Sequence, residues 1–189
     1  GARAERAWHA DVGLSRRIGA HLRAQAVVFT REDRGLLRLP EDEWRMMDGR
    51  PEPPAADSRY ENRLDGTARG VELTLQRRSP NGLSGWLSYS LARYRQRDVI
   101  SGERFSGDFD QRHAFNLYGH YRLTDRTSVA VKFRTSSNFP VRGYFTELPA
   151  TADAPVPEDQ PARYALAETR NGARLPAYAR LDLRANRTW

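Results

Sequence analysis

The sequence predicts an all-β protein, an antiparallel up-and-down segment of a transmembrane β-barrel with about seven strands of a larger barrel and long extracellular loops. Three observations predict it. Strand-length runs alternate apolar and polar residues with a period of two. Short turns alternate with long loops along the chain, so a meander has all its short turns at one end. No run approaches the roughly 18–20 apolar residues of a membrane helix, while a barrel strand needs only alternate apolar residues over about 9–11 positions.

Residues 108–144 carry the pattern most clearly. In 111–123, Phe115, Leu117, Gly119, Tyr121 and Leu123 share one parity, and Asn116, Tyr118, His120 and Arg122 the other. After the turn Thr124-Asp125-Arg126, residues 127–136 set Val129, Val131 and Phe133 against Ser128, Ala130, Lys132 and Arg134. Side chains alternate faces along a strand, so this hairpin has one apolar and one polar face.

From the start of the chain, residues 7–15 alternate Trp8, Ala10, Val12 and Leu14 against His9, Asp11, Gly13 and Ser15. A turn at 16–19 leads to a second strand, 20–30, with Leu22, Ala24, Ala26 and Val28 on one face. Residues 31–66 form a long irregular stretch. Pro40, the acidic Glu41-Asp42-Glu43 and a stop at Gly49 predict one short helix there, with the carboxylates on its first turn. Residues 69–77 place Val71, Leu73 and Leu75 against Glu72, Thr74 and Gln76. The turn Ser79-Pro80-Asn81-Gly82 returns the chain into 83–94, with Leu87, Tyr89 and Leu91 on the apolar side. Loops at 95–110 and at 137–176 flank the hairpin, the second rich in proline. Residues 177–189 close with Ala179, Leu181, Leu183 and Ala185 on one parity.

In each strand the apolar parity is free of charge over its central residues, as a lipid-facing surface requires. Trp8, Tyr89, Tyr121 and Phe133 near strand ends suit interfacial rims or, equally, core packing. A soluble β-rich binding module, with the apolar face buried as a core, is the alternative that alternation leaves open.

The chain of 189 residues is 39% hydrophobic and 29% charged, with a net charge of +7. Lys132 is the only lysine, and the remaining basic side chains are arginines spread over strands and loops. A nucleic-acid-binding stripe is therefore not expected, whereas phosphate-bearing lipid headgroups suit arginine. There is no cysteine, which excludes disulfides and thiolate metal sites. His9, His21, His113 and His120 lack ligand spacing, His113 and His120 facing opposite sides of one strand. Asp108, Asp110 and His113 cluster where loop becomes strand and are read as turn chemistry. No catalytic motif is present, so no enzyme activity and no cofactor are expected.

Three stretches resemble the C-terminal barrel strands of TonB-dependent outer-membrane receptors: RGVELTLQRRSPNGLSGWLSYSLARY, DFDQRHAFNLYGHYRLTDRTSVAVKFRTSSNFPVRGY and RLPAYARLDLRANRTW. The matching features are Gly70 and Glu72 opening a strand, Tyr89-Ser90, Asp110-Gln111-Arg112-His113, Arg134 and Pro140, Leu175-Pro176, Tyr178 and Arg180-Leu181-Asp182. The resemblance implies a bacterial outer-membrane receptor that binds a scarce extracellular solute (siderophore, carbohydrate, cobalamin-like compound or peptide) and imports it with energy from the TonB complex. It implies outer-membrane lipid, a plug domain and TonB as partners. Neither plug nor TonB box is recognisable in residues 1–189, so the chain is expected to be a partial barrel domain lacking the plug and the final strands. A passive or structural barrel, porin or adhesin, is the alternative within this class.

Solute contacts are expected at the long-loop end, from Tyr94, Asn116, Arg134, Ser136, Asn138 and Arg142 by strand direction, with Trp44, Tyr60 and Tyr144 in the loops. Aromatic faces and guanidinium groups suit sugar, peptide or anionic ligands. The same residues could instead tie loop to loop.

Overall fold

The structure is a computed structural model that describes residues 2–40, 43–79, 82–149 and 163–189. It contains twelve strands and no helix among those residues: β1 (Arg6–Ile18), β2 (Leu22–Arg38), β3 (Arg45–Met47), β4 (Arg50–Glu52), β5 (Glu61–Arg77), β6 (Leu83–Asp98), β7 (Arg104–Ser106), β8 (His113–Arg122), β9 (Thr127–Ser136), β10 (Phe145–Leu148), β11 (Arg163–Leu166) and β12 (Tyr178–Arg187). Seven of them form one antiparallel meander in the order β1-β2-β5-β6-β8-β9-β12, and β7 pairs with the upper part of β6. The sheet is open, with β1 and β12 at its edges and no closure into a barrel.

The register turns the alternation into continuous rows. Val12, Val28, Val71 and Leu91 lie side by side across four strands. Leu14, Ala26, Leu73, Tyr89 and Phe115 form the next row, and Ala24, Leu75, Leu87, Leu117, Phe133 and Leu181 the one below. Each row lies on one face because paired residues in an antiparallel ladder point the same way. The opposite face carries rows such as Gln25, Thr74, Ser88, Asn116, Arg134 and Arg180. Tyr89 and Phe133 sit inside the apolar rows, whereas Trp8 and Tyr121 flank them.

Short turns occupy one end of the sheet and long connections the other. The first turn falls at 19–21 rather than 16–19, because β1 continues to Ile18. Pro80 and Asn81 of the second predicted turn lie outside the described residues, as do Glu41, Asp42 and residues 150–162 of the proline-rich stretch. At the other end the strands run further than their alternation indicates. β2 extends to Arg38, β5 starts at Glu61 and β6 ends at Asp98, so much of 31–66 and 95–98 is strand. There both faces carry polar residues, and a two-residue hydrophobic period has nothing to register.

The predicted helix after Pro40 is not formed over its described part. Residues 45–52 make a two-strand hairpin, β3 against β4, with Met47 opposite Arg50. Asp48 and Gly49 form its two-residue turn with φ of 49° and 75°. Such a turn needs two left-handed residues, for which Asp-Gly is well suited.

All buried residues sit at the long-loop end. Leu64, Phe105, Tyr144 and Ala173 are buried there with Asp33, Asp98, Ser106, Asp110, Arg170 and Asn171. The apolar rows are uncovered by comparison: Val12 is 78% exposed, Leu183 74% and Leu73 44%. No second layer covers them among the described residues.

Candidate functional site

The long connections fold onto one another as a cap over the upper end of the sheet. The β10–β11 hairpin joins the stretch 139–144 to 167–175 through backbone bonds such as Val141 N–H to Ala173 O at 2.9 Å and Asn171 N–H to Gly143 O at 2.7 Å. Met46 N–H donates to Ala167 O at 3.0 Å and ties the β3–β4 hairpin to this layer. Phe105 on β7 lies beneath, with the guanidinium carbons of Arg38 and Arg170 at 5.3 and 5.1 Å from its ring centroid. Arginine over an aromatic face is attracted by the ring quadrupole, so Phe105 supports both cations from below.

Two ion-pair networks grow from these arginines. In the first, Arg38 Nη1 lies 2.9 Å from Asp98 Oδ2, and Arg63 Nε lies 2.7 Å from the same oxygen. Asp98 is fully buried, and its other oxygen accepts the N–H groups of Ile100 and Ser101. Arg38 also donates to the Tyr144 hydroxyl at 2.8 Å, and that hydroxyl donates to Glu103 at 3.0 Å. Burial pushes the Tyr144 phenol above its ordinary value; Arg38 opposes the rise and Glu103 reinforces it. In the second network Arg170 bonds Glu43 at 3.0 Å and Asp108 at 2.6 Å, and Asn171 donates to Asp108 at 2.7 Å. Arg142 lies 3.3 Å from Glu43 and 3.8 Å from Asp108. Burial alone would raise the Asp108 carboxyl, but the hydrogen bonds from Arg170 and Asn171 and the nearby positive charges hold it below its ordinary value. Burial would likewise lower Arg170, and its two carboxylate partners more than reverse that.

Between the networks and the sheet is a cleft of about 250 Å³, lined by Arg38, Tyr60, Leu64, Tyr94, Gln96, Asp108, Phe109, Arg142 and Arg170. Tyr60 and Phe109 present exposed rings to it, 67% and 80% accessible. Arg38, Arg63, Arg142 and Arg170 are balanced by Glu43, Asp98, Glu103 and Asp108, four charges of each sign. The cleft is therefore polar and close to neutral.

Tyr94 is the best-positioned side chain in it. Its ring lies against Gly66 and Gly107, where an added methyl group on either residue would collide with it. Its hydroxyl donates to Asp33 at 3.2 Å and accepts from Gln96. Asp110, buried beside it, accepts the Tyr94 N–H at 2.6 Å and pairs with Arg174. Asp108 and Asp110 thus do more than form a turn: they anchor the later loop to the sheet.

The expected ligand residues separate into three groups. Tyr94 and Arg142 line the cleft, as does Tyr60. Tyr144 is 4% exposed and holds Arg38 and Glu103 in place. Asn138, with φ of 42°, donates to Pro176 O at 2.9 Å and accepts the Phe139 N–H, so it joins loop to loop. Asn116 and Arg134 pair with each other at 3.2 Å on the polar face, in register with Ser88. Tyr94 is six residues further up β6 than Ser88, roughly 20 Å along the strand. The fold does not bring these two to the cleft. Trp44 is exposed in the β3–β4 region, and Ser136 ends β9.

Arg38, Phe109 and Arg170 were missed from the sequence. Arg38 ends β2 in a stretch without hydrophobic alternation and Arg170 lies in a loop, and only the fold brings them together across 132 residues of chain. The described residues contain no cluster of histidine and acidic side chains able to hold a metal. Comparison of the chain with protein-family models, curated proteins and solved structures found no match.

Proposed function

We propose that this chain is part of an outer-membrane β-barrel receptor that binds an extracellular solute at its looped end and imports it with TonB-supplied energy. The observation that carries the reading is the uncovered apolar face. Seven strands bring their apolar residues into register on one surface, and the described residues place nothing over it. In water such a surface would associate or aggregate, whereas in a bilayer it is the required exterior. The separation of short turns from long connections supports the same orientation, with the cap outside the cell.

The cleft beneath the cap is the proposed solute site. Its balanced charges and exposed rings suit a neutral or zwitterionic polar solute with a flat face, such as a carbohydrate or short peptide, better than a multiply charged anion. Plug and TonB complex enter as partners supplied by the wider receptor.

Cell fractionation followed by heated and unheated detergent gels tests the membrane reading. A heat-shifted band in the outer-membrane extract is the expected result, and a soluble protein with no shift would remove it. Solute binding by the full receptor tests the cleft. Arg142→Ala and Tyr60→Ala are expected to weaken binding by roughly fivefold to thirtyfold, the loss of about 1–2 kcal/mol each. Arg134→Ala is expected to leave it unchanged. Equal losses at all three positions would move the site down into the lumen.

A further inference from the structure

The outward face carries a second feature that solute uptake does not use. One row above Val71 and Leu91, Arg69 and Arg93 are directly opposite each other on β5 and β6. Like charges in such a pair repel. Both side chains are exposed, and neither has an ion-pair partner among the described residues. The carboxylates above them on this face are otherwise engaged: Glu32 lies 3.6 Å from Arg34, and Asp65 accepts the Gly35 N–H at 3.2 Å. Arg112, opposite Ala92, alternates to the other face, where it lies 3.6 Å from Asp110.

Arg69 and Arg93 rim an open depression of about 760 Å³ whose floor includes Ala10, Val12, Val28, Val71 and Leu91. A second, apolar depression continues down the same face over Ala24, Ala26, Leu73 and Leu75. From the Arg69 row to the Leu75 row is six residues, or roughly 20 Å along the strand. Small side chains make the trough and larger ones flank it; Arg69 and Arg93 stand opposed at its upper end and a single arginine, Arg16, at its lower end.

We propose that this face binds a phosphate-bearing membrane lipid, its phosphate on Arg69 and Arg93 and an acyl chain along the trough. An acyl chain satisfies the apolar rows, and a phosphate supplies the counter-charge that the opposed pair lacks; arginine takes phosphate oxygens in bidentate fashion. A free anion would use the cations and leave the trough empty. A neutral lipid would do the reverse. The inference rests on the membrane reading above.

The test uses the purified full-length protein in dodecyl maltoside, titrated with phosphatidic acid, phosphatidylcholine of the same chains, or inorganic phosphate, with thermal stability and native mass spectrometry as readouts. Phosphatidic acid is expected to bind at least about tenfold more tightly than either control, as one lost charge-assisted contact would account for. Arg69→Ala with Arg93→Ala should erase that preference and Arg69→Lys with Arg93→Lys retain part of it. If the alanine pair does not fold, the wild-type lipid preference and the lysine pair still decide. Equal binding of the two lipids, or equal stabilisation by inorganic phosphate, would overturn the proposal while leaving an outer-membrane protein intact. Failure to fractionate with the membrane would instead strike the parent reading.

Discussion

The sheet and the cap distribute their residues in opposite ways. In the sheet the large apolar side chains are on the surface: Val12, Leu14, Leu181 and Leu183 are each more than half exposed. In the cap, charged and polar side chains are inside: Asp98 and Asp110 are as buried as Phe105, and Arg170 is buried with them. A water-soluble domain buries its apolar residues and leaves its ions out. Here each region departs from that rule for its own reason. On the proposed membrane reading the sheet presents its apolar residues to an apolar surrounding. The cap has few apolar residues, so it is held by ion pairs whose desolvation is offset by the carboxylates they share.

That difference predicts different sensitivities. The largest effect is expected in the cap. Asp98→Ala leaves Arg38 and Arg63 buried without their shared carboxylate, and removing one partner of a buried pair costs about 3–5 kcal/mol. Thermal unfolding in detergent should show the cap melting well below the sheet. A variant whose cap melts with the wild type would mean the network is not what holds the loops.

A charge in the sheet is expected to matter on one face only. Leu73→Arg places a cation in the apolar rows, which costs about 2–4 kcal/mol at the bilayer midplane. Thr74→Arg, one residue on, points to the polar face and should be near neutral. Folding into lipid vesicles measures both. Equal tolerance would mean that both faces meet water.

The smallest effect is the pH response of the cap. Asp108 is held below its ordinary value of 3.8, so its ion pairs contribute stability fully above that pH. The contribution is lost as the pH falls through the lower folded value. Protease cleavage in the loops should therefore increase in acid, and Asp108→Asn should flatten that limb. An unchanged profile in the variant would assign the acid response to another carboxylate.

How much could be read beforehand follows the same division. The seven strands were legible because Val71-Leu73-Leu75 or Phe115-Leu117 alternate against polar neighbours, and a one-residue slip would exchange their faces. The upper strand ends were not legible. At Arg31 to Arg38 and Glu61 to Ala68 both faces are polar, and the period carries no contrast. The helix expected after Pro40 came from weighing its acidic run above Asp48-Gly49, a strong hairpin signal five residues later. Glu43 bonds Arg170 and Arg142 instead of a helix terminus. Within the cleft, Tyr94 and Arg142 could be placed by strand direction. Arg38 and Arg170 could not, since their nearness depends on loop docking that no local pattern encodes.

The alternation of environments along one strand tests the membrane reading most directly. These 189 residues contain no cysteine, so single cysteines at positions 115 to 120 of the full-length protein in lipid vesicles, with any cysteine outside them replaced by serine, can each carry a nitroxide label. Collision with oxygen, which concentrates in lipid, and with a water-soluble nickel chelate reports each environment. Oxygen contact is expected to peak at 115, 117 and 119, and chelate contact at 116, 118 and 120. Chelate access at all six positions, with no period of two, would contradict a lipid-facing surface and return the apolar rows to an aqueous or protein-covered setting.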